Sequence, residues 1–318
     1  MHKSAGCILR AAVALVVLVV ALVVIQKMIT PADDPDITGP EVTRNQPRQN
    51  SSPGDSDSDP ALLVPESSPT YGVTQQDIDS AEHPLLPVME IARAIENHID
   101  ENVQDYSATI TSQVRTDDGT THPEKVCICK VRHETEDNGL SVYTKFLNPG
   151  SVAGQEAIWV GGRNDDKLIG HGTGLLNVKR MYLDPEGTLP MMGNRHPIFK
   201  LGLKNMIKEL IATGEHDLEY EEIEVSIERG VEIDGQPCTM LRVEHPVERD
   251  HFEFHIANIY IDDALIMPVA FESYLWPAKL GGKPQLLERY YYTEIETNIG
   301  LADDDFDPGN EEYNYPAW

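Results

Sequence analysis

The sequence predicts an α+β fold, in which helices pack on one face of a large curved antiparallel sheet that forms an incomplete β-barrel. Residues 217–298 alternate apolar and polar positions through a series of strands joined by tight turns. Two amphipathic segments, one before the first strand and one before this meander, have helical periodicity. Short strand connections and helices outside the strand runs are typical of an antiparallel sheet with helices gathered on one side.

The first predicted helix opens near Pro84 and Pro87 and runs to Asn102, because apolar residues recur there every three or four positions. The second spans Asn205–Thr213, with Gly214 as its stop signal. Alternating patterns predict strands in 106–114, 125–133, 140–147, 157–160, 167–170 and 175–183.

The meander contains the strongest turn signal of the chain, at Asp234-Gly235. An Asp-Gly pair between apolar alternations predicts a two-residue hairpin, since both positions of that turn need positive φ. The remaining strands of the meander are predicted in 221–229, 231–233, 238–244, 252–261, 269–276 and 286–295.

The N-terminal part of the chain predicts export. Residues 1–30 contain the apolar run Ala11–Ile25, preceded by Lys3 and Arg10. This charge bias predicts that the rest of the chain is translocated. The segment is either an uncleaved anchor, which would give a single pass through the cell inner membrane with the C-terminal domain in the periplasm, or a cleaved signal peptide.

Residues 31–83, rich in Pro, Ser and Asp, predict a disordered linker, and residues 84–318 predict one folded domain. The net charge of −28 argues against a nucleic-acid partner. Cys127 and Cys129 are two apart on a predicted strand, and they are interpreted as buried thiols. The alternative is that one of them forms a disulfide with Cys238.

The sequence suggests no catalytic residue, metal site or cofactor. His251 and His255 flank Glu253, but the period of two indicates a strand, on which the two rings lie too far apart for one ion. The run from Gly170 to Gly174 lacks the lysine of a phosphate-binding loop and is interpreted as a flexible turn.

Aromatic and methionine side chains are the candidate ligand-binding residues. Several strands carry apolar residues on both faces, which a sheet wetted on one face should not do. Either these side chains fill a solid core or some of them line an apolar cavity. The candidates for the cavity are Trp159, Tyr182, Met191, Met192, Tyr260, Phe271, Tyr274 and Trp276.

The chain also resembles an uncharacterised bacterial family of exported proteins with a domain of unknown function. Among the segments that carry this resemblance are residues 145–150, 183–185, 195–198, 274–277, 290–292 and 305–313. The order of elements is similar to that of the lipoprotein carriers LolA and LolB, so the resemblance implies an incomplete barrel with a helical lid over an apolar cavity. LolB is anchored through a lipid-modified cysteine, whereas Cys7 precedes the apolar run here.

Three functions follow as hypotheses. The first is a non-enzymatic extracytoplasmic domain that binds a lipid or a lipoprotein acyl chain. The second is a sensory or interaction domain with a solid core that meets an envelope protein. The third is an extracytoplasmic hydrolase, which a buried histidine–carboxylate pair lining a cleft would favour.

Overall fold

A computed structural model describes residues 42–44, 68–279 and 281–317. The helices are α1 (Gln75–Ser80), α2 (Leu85–Asn102), α3 (Thr188–Met191) and α4 (Leu203–Asp217). The strands are β1 (Val42–Arg44), β2 (Asp105–Val114), β3 (Lys125–Arg132), β4 (Ser141–Asn148), β5 (Glu156–Val160), β6 (Leu168–Gly170), β7 (Met181–Leu183), β8 (Glu224–Ile233), β9 (Gln236–Glu244), β10 (Ile256–Asp262), β11 (Met267–Leu275) and β12 (Gln285–Thr297).

All twelve strands form one antiparallel sheet in the order β1-β8-β9-β10-β11-β12-β2-β3-β4-β5-β6-β7. The last strand of the meander, β12, pairs with the first long strand, β2, and so joins the two halves of the chain. Within the described part of the chain, the edge strands β1 and β7 do not pair with each other. The sheet is therefore open, and the predicted α+β fold with an incomplete barrel is confirmed.

Helices α2 and α4 cover one face of this sheet, which we call the inner face. They pack against each other and against a large apolar cluster that includes alternate residues of β2, β3, β9 and β10. Tyr106 of β2 also fixes the start of α4, because its hydroxyl accepts a hydrogen bond from the Leu203 amide at 2.9 Å. Each fully buried large apolar side chain contributes about 1.5–3 kcal/mol to such a core.

Helix α4 is longer than the sequence predicts. It continues through Gly214 to Asp217, although Gly214 was predicted as its stop signal. The glycine has a packing role: a Cβ atom at this position would lie 2.3 Å from Sδ of Met89 in α2. A glycine is favoured both where two helices approach closely and where a helix ends. The local sequence does not show which of these two reasons applies.

The hairpin between β8 and β9 forms where it was predicted. Asp234 has φ 50° and Gly235 has φ 74°, so both turn residues lie in the left-handed region that a primed turn requires. The predicted strand 252–261 is shorter, however, because β10 begins at Ile256. The ring of His251 stacks on Tyr220 instead of belonging to a row of polar side chains on a strand.

Part of the predicted linker is folded. Residues 68–83 lie against the sheet, with α1 capped by Thr74 and Asp77 and with Ile78 buried. The guanidinium of Arg229 donates to the Thr70 carbonyl at 2.7 Å. The described structure therefore includes residues 68–83, which lie on the N-terminal side of the predicted boundary at residue 84.

The outer face of the sheet carries two smaller apolar clusters. One lies on β8–β12 and contains Cys238, whereas Cys127 and Cys129 belong to the inner-face cluster. The three cysteines are buried and unbridged. In the second cluster the C-terminal segment packs on β4 and β5, where Tyr313 stacks on Tyr143 with ring centroids 4.2 Å apart.

The predicted apolar segment Ala11–Ile25 lies outside the described residues. Among the helices that the structure does describe, none has the length and apolar character needed to cross a membrane.

Candidate ligand-binding cavity

A large cavity lies between the inner face of the sheet and the helices α2 and α4. Its volume is about 1620 Å³. Ligand pockets for small molecules usually measure about 300–1,000 Å³. The space is therefore large enough for a ligand bigger than a typical metabolite.

Apolar side chains form most of the cavity wall. The roof comes from one face of each long helix, because residues spaced three or four apart on α2 and α4 point toward the sheet. The floor comes from alternate residues of the central strands. Representative wall residues are Val88, Met89, Ile95, Ile207 and Leu210 in the helices, and Ile110, Phe146, Val243, Ile259 and Phe271 in the sheet.

The cavity also reaches the segment between β6 and β7 and the stretch around α3. Leu175 is 96% exposed and Val178 is 65% exposed, and both also contribute to the cavity wall. Leu189 is a third exposed apolar residue of this wall. One side of the cavity is thus bordered by apolar groups that face solvent.

Two of the predicted ligand-binding residues line this space. Met192, which directly follows α3, and Phe271 of β11 both contribute to the wall. A role for either in binding stays a prediction.

The structure places the other six predicted residues elsewhere. Tyr260 and Tyr274 lie on the outer face, where their hydroxyls donate to the buried Glu272 carboxylate at 3.2 and 3.1 Å. They are not in the cavity because neighbouring positions on a strand point to opposite faces of the sheet.

Trp159 donates to the Asp166 carbonyl and its ring lies 5.6 Å from that of Phe199. Trp276 follows β11 and donates to the His245 carbonyl at 3.0 Å. Tyr182 is exposed and Met191 is half-buried, and neither belongs to the cavity wall. These placements come from tertiary packing, which an inventory of aromatic residues does not reveal.

Polar side chains interrupt the apolar wall at one corner. Glu288 of β12 accepts hydrogen bonds from His196 at 2.8 Å and from the Tyr290 hydroxyl at 3.2 Å. Arg195 Nε lies 3.5 Å from the same carboxylate. The hydrogen bond to Glu288 raises the pKa of His196.

Lys125, the first residue of β3, lies on the same wall. Its ammonium donates to the Gly193 carbonyl at 2.7 Å and to Asn194 Oδ1 at 2.9 Å. Burial lowers the pKa of Lys125 to about 8. We call Lys125, Arg195, His196, Ser273, Glu288 and Tyr290 the polar corner, since all six contribute to the cavity wall.

A buried histidine–carboxylate pair lies at another part of the wall. His171 Nε2 is 3.6 Å from Glu156 Oε2, and both side chains are fully buried. His171 Nδ1 donates to the Gly172 carbonyl at 2.6 Å, and Glu156 accepts from the Asn314 amide. Among the described contacts, no hydroxyl or thiol bonds to His171. No described hydrogen bond therefore joins the pair to a nucleophile of the kind that a hydrolase of the Ser–His type uses.

Local sequence patterns do not predict the polar corner. In the sequence, Lys125 is the polar start of an alternating strand, and Ser273 and Glu288 are ordinary strand positions. Only the antiparallel register brings them together, because Ser273 of β11 pairs with Glu288 of β12. Arg195 and His196 carried part of the family resemblance, and that was the one available signal.

The sheet, the two covering helices and the cavity together define an α+β half-barrel protein with an internal apolar cavity. The chain belongs to the family described as "Protein of unknown function (DUF1571)", whose model matches residues 103–315. A search of curated proteins found none that matches this chain in sequence.

Several solved structures are similar in fold. The lipoprotein LppX from Mycobacterium tuberculosis is 12% identical with a TM-score of 0.40, and the match covers 70% of this chain and 100% of LppX. A putative outer membrane lipoprotein-sorting protein domain from Vibrio parahaemolyticus is 15% identical with a TM-score of 0.34, covering 69% and 95%.

A LolA superfamily protein from Nitrosomonas europaea is 12% identical with a TM-score of 0.28, covering 68% of this chain and 97% of its own. The resemblance predicted from the sequence is confirmed: the family is one of unknown function, and LolA-type folds are among its structural neighbours.

Proposed function

We propose that this domain is a non-enzymatic binding protein that holds the acyl part of a lipid or of a lipoprotein in its cavity. The observation that carries the proposal is the cavity of about 1620 Å³ with a mostly apolar wall. A solid-core interaction domain would have filled this space with side chains, since protein interiors are close-packed.

The energetics of an acyl ligand are sufficient. Each buried methylene contributes about 0.8 kcal/mol, so sixteen carbons contribute roughly 13 kcal/mol before the costs of binding. Micromolar affinity needs about 8 kcal/mol, which leaves about 5 kcal/mol for lost translational and conformational freedom. A single saturated chain therefore suffices for measurable binding.

We further propose that the domain acts outside the cytoplasm, tethered to or released from the inner membrane through its N-terminal segment. The charge bias around Ala11–Ile25 supports this proposal. If the segment is an anchor, the full-length protein will sediment with membranes and resist high-salt extraction. A soluble protein whose mature N-terminus lies near Ala32 would indicate a cleaved signal instead.

The binding test compares two adjacent methionines. Met192 lines the cavity, whereas Met191 does not. We expect the full-length chain to bind a fluorescent long-chain fatty acid at micromolar concentration, and a non-fluorescent fatty acid to displace it. Met192→Trp should weaken this binding about tenfold or more because the indole occupies the cavity, and Met191→Trp should leave it within about twofold. A wild-type protein that binds no probe at saturating concentration would contradict the proposal.

A hydrolase is the second candidate, and the buried His171–Glu156 pair is the observation that favours it. The contacts of this pair fit a structural role better, because Glu156 holds the backbone of the C-terminal segment at Asn314. The test is hydrolysis of p-nitrophenyl acyl esters by the wild type and by His171→Asn. Activity that is present in the wild type and lost in the variant, with an unchanged melting temperature, would support the hydrolase and contradict a purely binding function.

A further inference from the structure

Lys125 carries a positive charge on the cavity wall without a carboxylate partner. Its two hydrogen bonds, to Gly193 and Asn194, go to neutral oxygens. No carboxylate in the described part of the chain lies within ion-pair distance of its ammonium, which has three N–H donors in total. A partly buried ammonium without a counter-charge is costly, and an anionic ligand would offset that cost.

The sheet register aligns further polar groups with Lys125. Lys125 pairs with Ser112 of β2, and Ser112 pairs with Tyr290 of β12. Directly paired residues place their side chains on the same face, with Cβ atoms about 4.5–5.5 Å apart. Glu288 lies two residues before Tyr290 on β12 and pairs with Ser273. The polar corner is therefore a contiguous patch built on adjacent strands.

Two polar atoms of this patch are buried without a hydrogen-bond partner. The Ser273 hydroxyl is one of them, and Ser273 is only 1% exposed. Arg195 Nε is the other, since its 3.5 Å contact with Glu288 is an ion pair without hydrogen-bond geometry. Buried polar groups are almost always hydrogen-bonded in folded proteins. Both residues line the cavity, so the headgroup of a ligand bound there could supply the missing acceptors.

The charge of the polar corner also indicates an anion. Lys125 and Arg195 are positive, and Glu288 supplies one negative charge. His196 adds a further positive charge when protonated. Asp117 contacts Arg195 at 3.4 Å, but its side chain is fully exposed, so solvent screens it. The six residues of the polar corner are positive overall, within a chain of net charge −28. Glu209 also lines the cavity and acts on His196, but its carboxylate is paired with Lys200.

We propose that the polar corner binds the anionic headgroup, a carboxylate or a phosphate, of the amphiphile whose acyl chain occupies the rest of the cavity. The third N–H of Lys125, Arg195 Nε and the Ser273 hydroxyl donate to its oxygens. This inference rests on the proposed function and adds the chemical class of the ligand. A role for Lys125 only in holding the Gly193–Asn194 backbone is the alternative that the experiment must separate.

The test uses ligands of equal chain length that differ in their headgroups. The full-length, delipidated chain is titrated with a fluorescent long-chain fatty acid, with the methyl ester of the same fatty acid, and with a lysophosphatidic acid of equal chain length as competitor. Inorganic phosphate alone, as a further competitor, separates binding of a free anion from binding of the amphiphile.

We expect the wild type to bind the acid at least tenfold more tightly than the ester. In Lys125→Met this preference should fall to within about twofold while the affinity for the ester is unchanged, and Lys125→Arg should restore part of it. Ser273→Ala should reduce the preference about threefold. Lys208→Met is the matched control, because Lys208 lies on α4 outside the cavity wall and is expected to leave the preference intact.

The outcomes distinguish this inference from the proposed function. Equal binding of acid and ester by the wild type, or a preference that survives Lys125→Met, would overturn the headgroup site and leave the apolar cavity in place. Binding of neither ligand would overturn both. If lysophosphatidic acid competes better than the fatty acid, the headgroup is a phosphate, and the reverse order makes it a carboxylate. Competition by inorganic phosphate at concentrations like those of the amphiphile would mean an anion site independent of the lipid, which also contradicts the inference.

Discussion

Substitution of two buried alanines on adjacent strands tests whether the inner face of the sheet borders an empty cavity or a filled core. Ala257 of β10 is 1% exposed and contributes to the cavity wall, and Ala270 of β11 is 0% exposed in the outer-face cluster. Replacing each by phenylalanine adds the same ring to the two faces of the sheet. At Ala270 the ring has no space, because Tyr260 and Tyr291 are its direct partners.

We expect Ala270→Phe to cost about 1–3 kcal/mol, the usual cost of overpacking a core. Ala257→Phe should cost less, about 1 kcal/mol or below, since the ring extends from the inner face toward the cavity that Ala257 borders. Equilibrium urea unfolding followed by circular dichroism measures both values. The same Ala257→Phe variant should bind the fluorescent fatty acid about tenfold more weakly. Equal destabilisation by the two substitutions would refute the cavity.

Three further predictions concern the domain boundary, the helix contact and Lys125. A chain beginning at residue 84 should have a free energy of unfolding, measured by urea denaturation, about 2–4 kcal/mol lower than that of a chain beginning at residue 68. The shorter chain loses the burial of Ile78 and the two backbone carbonyls to which Arg229 donates. Equal stability of the two chains would support a domain boundary at residue 84. Gly214→Ala should lower the free energy of unfolding by up to about 2 kcal/mol, although alanine has the better helix propensity, because its methyl group would meet Met89. In a Met89→Ala background the same change should be neutral or stabilising. A double-mutant cycle that shows no coupling between the two positions would contradict the contact between Gly214 and Met89. The pKa of Lys125 is lowered to about 8 in the folded protein, so the unfolded chain binds more protons than the folded one between pH 8 and about 10.5. The free energy of unfolding of the wild type, relative to that of Lys125→Met, should therefore rise by about 1–3 kcal/mol over that window. A difference between the two proteins that does not change with pH would contradict the lowered pKa.

The sequence contains most of the information about the fold because that information is local. Alternation identified the strands of the meander, and the Asp234-Gly235 pair determined one turn with the required backbone conformation. Helix α2 follows from its own periodicity. In contrast, Gly214 and the segment around Ile78 depend on what packs against them, and their local signals favoured a helix end and a linker.

The site was less predictable because a cavity is defined by several strands at once. Met192 and Phe271 line it, but Tyr260 and Tyr274 lie on the opposite face, a difference that depends on register. Lys125 and Tyr290 both pair with Ser112 of the strand between them, although they lie more than 160 residues apart in sequence. No local pattern near either residue predicts that proximity. Strand pairing had to be known before the polar corner could be recognised.

Mass spectrometry of lipids extracted from the purified full-length protein tests whether the cavity holds an amphiphile. A long-chain amphiphile should be present in near-stoichiometric amount with the wild type and with Met191→Trp, and it should be depleted from Ala257→Phe and Met192→Trp. Equal traces of lipid in all four proteins, no greater than those carried by an unrelated acidic protein purified in the same way, would contradict binding of an amphiphile in the cavity.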